Sequence, residues 1–183
     1  MKRLFCAFLL IVACPGVHAQ LSLTPPEGYT PQVGTLVRML DDLKSRVGGL
    51  VQNLNEEQTD FLMDDKANRI GALIMHLAAT EFYYQKYTFE NRDLTREEMD
   101  RWGVALDLGD DAREQLKGKP ISYYLKIWDE VRANTKELLK SKDDAWLAIV
   151  SDGGRMTNHW AWFHVMEHQS NHMGQIALIR KRF

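Results

Sequence analysis

Four stretches of this chain repeat their apolar residues every 3.6 positions, and no stretch alternates them every two. From Pro31 the pattern runs Val33, Leu36 and Val37, Leu40, Leu43, Val47, Leu50 and Val51, Leu54, one face of a long amphipathic helix. Gly48 and Gly49 should loosen it. A second helix is expected from about Lys66 to Tyr87, with Ile70, Leu73, Ile74, Leu77, Glu81 and Tyr84 on one stripe. A third runs from about Ser122 to Ser141 on Tyr124, Ile127, Trp128, Val131 and Leu138, and a last one starts near Thr157. Stripes of this kind can bury themselves only against one another, so the pattern predicts an all-α four-helix bundle over residues 31–183.

The connections fit that plan. Residues 88–120 are polar and broken by Gly103, Gly109, Gly118 and Pro120, which predicts one or two short helices inside a long crossover between helices two and three. Asn55 with Gln58, and Thr95 with Glu98, have the spacing of capping boxes. The stretch DDAWLAIV reads as either a helical turn or a short strand, and Gly153-Gly154 as a break. Of the 183 residues 45% are apolar and 26% charged, enough to close one core. A net charge of −2 gives no positive field to attract nucleic acid or an anionic membrane.

The N-terminus is a different object. Lys2 and Arg3 precede LFCAFLLIVAC, then Pro15, Gly16 and VHA before Gln20. That is the order of a secretory signal, too short to span a bilayer as a helix. Cleavage after Ala19 would leave 183 − 19 = 164 residues, in the periplasm or outside the cell, with an extended lead-in at 20–30. The alternative is a lipoprotein anchored at Cys14, less favoured because Pro15 follows directly. Both cysteines, Cys6 and Cys14, fall in this segment, so the remaining domain has neither disulfides nor thiolate ligands.

The chain closes on HVMEHQSNHMGQIALIRKRF. At 100° per residue His164, His168 and His172 span an arc of about 80°. They share the side of Trp160, Ala161, Val165, Ile176 and Ile179 and so point inward, whereas His159 lies opposite His168 and should be exposed. His168 and His172, one turn apart, can meet a single metal ion. A catalytic ion takes three protein ligands, so another helix must supply one. His76 stands at the edge of the second helix's stripe and Glu81 nearer its centre, a rival oxygen ligand or a hydrogen-bond acceptor behind the ligands; both stay open as candidates, with His164 a further one. Glu167 reads as a flanking carboxylate, Gly174 as room for close helix packing, and Gln175 as a contact to solvent or substrate. Trp160, Trp162, Phe163 and Met166 read as packing residues, and Arg180-Lys181-Arg182 as a counter-charge to the helix dipole.

A second helix holding HL...E and a last helix holding EHQSNHMGQIALIR resemble the DinB family, the DinB/YfiT-like metalloenzymes. The layout covers nearly all of the chain after residue 30, the motifs about twenty-five residues. The resemblance implies that His76, His168 and His172 form a metal-binding triad with solvent in the remaining positions. It also implies a divalent transition metal (Zn, Ni, Fe or Mn) and either transfer chemistry with low-molecular-weight thiols or hydrolysis. Those thiols are cytosolic, so an exported chain would favour hydrolysis. A non-catalytic metal- or ligand-binding protein of the envelope, and a bundle with merely structural histidines, are the competing expectations. No nucleophile–base pair is legible beyond the histidines, so no catalytic residue is assigned. The small-molecule substrate is unspecified and a homodimer is compatible with the pattern.

Overall fold

A computed structural model describes residues 22–150 and 154–183. The leader reading of residues 1–19, both cysteines and Gly153 lie outside the described residues. Helix α1 spans Pro31–Val51, α2 Glu56–Thr59, α3 Ile70–Phe89, α4 Arg96–Asp107, α5 Gly109–Gln115, α6 Ile121–Lys140 and α7 Asn158–Ile179, with 3-10 turns at Asp144–Ala148 and Arg180–Arg182. The only β pairing among the described residues is a single antiparallel bridge, Val150 with Thr157. Helix α3 packs on α6 and α7, and α1 on α7 and α6, which closes a four-helix ring; α4 lies against α3. No described helix is long and apolar enough to cross a membrane.

The predicted stripes are the buried ones. Val33, Leu36, Val37, Leu40, Val47 and Val51 on α1 are all at most 2% exposed. One apolar cluster takes α3 up to Ala79, α6 up to Val131 and α7 from Ile176 onward. A second takes Tyr84 on α3, Leu139 on α6 and α7 up to Val165. Between them on these three helices Glu81, Arg132, Thr135 and Gln169, with Gln85 next to Tyr84, form a buried polar layer.

Local rules explain most boundaries. Both capping boxes form, each with the reciprocal pair of hydrogen bonds. Helix α3 starts at Ile70, four residues after the expected Lys66. The side chain of Asp64 accepts from the Lys66 N–H and its carbonyl from Ala67 N–H, so a turn takes those backbone groups first. Helix α1 runs unbroken through Gly48 and Gly49, with Gln52 N–H still donating to Gly48 O at 2.9 Å. The crossover holds two short helices, α4 and α5, joined where Leu108 and Gly109 take φ of 57° and 73°. DDAWLAIV divides: a 3-10 turn first, then the lone bridge at Val150.

Candidate metal centre

His76, in the middle of α3, faces His168 and His172 on α7, and the three imidazoles meet through their Nε2 atoms. His168 Nε2 lies 3.0 Å from His76 Nε2 and 3.0 Å from His172 Nε2. One ligand atom from each ring falls within 4.8 Å of the others. Nitrogens that share one divalent ion at about 2.0–2.1 Å stand about 3 Å apart, which is the spacing of both His168 contacts.

The other ring nitrogens fix the tautomers. His76 Nδ1–H donates to the Ala105 carbonyl at 2.7 Å, and His172 Nδ1–H to Gln175 Oε1 at 3.0 Å. Both rings therefore turn an Nε2 lone pair toward His168. His168 Nε2 can donate one proton to one of them and not to both, while its buried Nδ1 has no partner. At least one 3.0 Å contact thus brings two lone pairs together, an arrangement that a cation relieves. Burial is the main reason all three pKa values lie below the usual imidazole range, the neighbouring imidazoles adding to it at His76 and His168. At His168 the fall is largest, to about 3, from burial and then from the charges His172, His76 and His164 would carry. Neutral imidazole is the form that binds metal.

The remaining candidates separate clearly. Glu81 is fully buried and is no ligand. Its carboxylate accepts from Arg132 Nε (2.7 Å), Arg132 Nη2 (2.9 Å), Trp128 Nε1 (3.0 Å) and Thr135 Oγ1 (2.6 Å). That anchors the polar layer and leaves no free lone pair for an ion. His164 sits at the rim rather than inside, stacked on Trp160 with centroids 5.3 Å apart and its Nδ1 3.3 Å from Glu167 Oε2. His159 is exposed, as its helical position requires. Trp162 is a packing residue at 0% exposure and Met166 is half-buried, but Trp160 and Phe163 are 48% and 46% exposed. Their packing reading fails because both fall on the solvent-facing arc of α7, Phe163 at the open groove toward α1. Gly174 is also exposed, with nothing near enough to need the missing Cβ. Sequence reasoning missed the part played by Ala105: a backbone carbonyl leaves no signature in the side chains.

A four-helix bundle whose second long helix and last helix bring three neutral imidazoles together defines a DinB-like helical protein with a site positioned to bind a metal ion. The chain belongs to the mycothiol-S-transferase family, which it matches over residues 35–183, within the metal-dependent DinB/YfiT-like superfamily. No curated protein matches it.

Proposed function

We propose that this protein joins the sulfur of a low-molecular-weight thiol to a small electrophile, the S–H proton and the electrophile's leaving group departing, with His76, His168 and His172 holding a divalent transition ion (Zn, Ni, Fe or Mn). The observation that carries this reading is the convergence of three Nε2 atoms in a chain of a thiol-transferase family. When bound, such an ion would supply Lewis acidity, lowering the pKa of a thiol at the site or polarising the electrophile. The chain's own part is positional. The Ala105 carbonyl and Gln175 Oε1 hold two rings in the ligating tautomer, and burial keeps all three rings neutral. Three protein ligands leave the remaining positions for thiol, water or substrate.

The test uses chain purified without a histidine tag. Metal content should be stoichiometric, and metal-loaded protein should consume mycothiol or another small thiol in the presence of 1-chloro-2,4-dinitrobenzene. His76→Ala, His168→Ala and His172→Ala should each lose the metal and at least 99% of turnover, yet keep the helical far-UV dichroism, because the bundle has its own core. His164→Ala should keep the metal. Triad variants that retain metal, or metal lost only from His164→Ala, would overturn the assignment. Stoichiometric metal without turnover would leave a binding protein.

Export is a separate proposal, resting on the order of residues 1–19. Mass spectrometry of the native protein should find Gln20 as the first residue. An N-terminus at Met1, or a lipidated Cys14, would refute it. A processed, exported chain would move the chemistry toward metal-assisted hydrolysis, since the small thiols are cytosolic.

A further inference from the structure

A cavity of about 200 Å³ opens in the groove between α3 and α7, one helical turn beyond the histidines. On α3 its wall is Leu73, three residues before His76; on α7 it is Gln175, three residues after His172, followed by Leu178 and Ile179. Met63 and Asn68, from the turn before α3, close the far side. One residue ties this hollow to the site. Gln175 is shared: its Oε1 accepts from His172 Nδ1, and the residue also lines the cavity.

The lining sets the chemistry of the occupant. Leu73, Leu178, Ile179 and Met63 offer apolar surface, Lys66 is the one charged lining residue, and the volume lies below the 300–1,000 Å³ typical of sites for larger ligands. We infer that this cavity seats the non-reacting part of the electrophile: a compact apolar group, one ring or a short branched chain. The inference rests on the transfer reading above for the word electrophile, but the seat itself can be tested without turnover.

The probe is benzyl alcohol, titrated into the zinc-loaded full chain with ¹³C-labelled methyl groups. Saturable shifts are expected at the Leu73, Leu178 and Ile179 methyls, with Val33 and Leu40 of the other apolar cluster unmoved. Leu178 is 47% exposed, so Leu178→Trp can cover the cavity without entering the core. It should weaken benzyl alcohol at least tenfold with zinc content unchanged. In turnover, Leu178→Trp should lower kcat/KM for 1-chloro-2,4-dinitrobenzene at least tenfold relative to iodoacetamide, which is too small to need the seat. Shifts located elsewhere, undiminished binding by Leu178→Trp, or an equal loss for both electrophiles would overturn the inference. Binding lost in Leu178→Trp, in a protein that turns over no thiol, would uphold the seat and refute the transfer reaction.

Discussion

At His168, burial and the surrounding imidazoles act in the same direction, and together they make the metal-free protein sensitive to acid. The unfolded chain takes up a proton near pH 6.5, whereas the folded one resists until about 3. Between those values the unfolded state binds more protons, so stability is complete above about pH 6.5 and falls as the pH drops toward 3. His76 and His172, both lowered as well, add to the loss. In EDTA the Tm should hold from pH 7.5 to 6.5 and then fall at 5.5 and 4.5. His168→Gln removes the most displaced group and should flatten that decline. A Tm that rises on acidification, or a slope unchanged in His168→Gln, would show that the imidazoles are not buried as described.

Two glycines on the site-bearing helices have opposite roles. A Cβ on Gly71, near the start of α3, would lie 2.6 Å from Tyr124 Cε2 and 3.1 Å from Thr59 Cγ2. Tyr124 is 1% exposed in the core and cannot step aside. Gly71→Ala should therefore cost about 1–3 kcal/mol through overpacking where α3 meets α6. Gly174, inside α7, has nothing within 4 Å of the missing Cβ. There alanine only removes backbone freedom from the unfolded chain, and should stabilise by about 0.5–1 kcal/mol. Urea unfolding of the two variants side by side checks both signs. A destabilising Gly174→Ala would mean that α7 is packed more closely than its exposed face allows.

Across the whole bundle, the Glu81 layer ties three helices together beside the metal centre. Burial alone would push the Glu81 carboxyl up. The Arg132 charge and the hydrogen bonds from Arg132, Thr135 and Trp128 outweigh it and hold the pKa below the usual carboxylate range. Gln169 also reaches Glu81 Oε2, at 3.4 Å, from the residue next to His168. Removing one member of a buried ion pair strands the other, and typically costs about 3–5 kcal/mol. Glu81→Gln should lose stability on that scale, while Asp41, 3.4 Å from Arg132 Nη1, keeps part of the compensation. Its metal content, measured at a temperature where it is folded, should remain that of the unaltered chain. Metal loss from folded Glu81→Gln would return this residue to the ligand set.

The bundle was legible in the sequence because helical burial is periodic: Val33 to Val51 on α1 and Ile70 to Tyr84 on α3 state which face turns inward before any neighbour is known. The capping boxes at Asn55 and Thr95 were equally plain, since both partners lie within four residues. The His168–His172 pair followed from one helical turn, and His76 from its place in the family pattern. What lay beyond reach depends on distance between helices. Glu81 and His76 sit five residues apart on one helix, and periodicity ranked Glu81 nearer the core. Only the arrival of Arg132 and Trp128 from α6 makes it an ion-pair anchor, and only the arrival of α7 and the Ala105 carbonyl gives His76 its partners. Trp160 and Phe163 carry the same ambiguity, because a large apolar side chain in a sequence says that burial would be favourable. Whether another helix is there to provide it is decided by the tertiary structure.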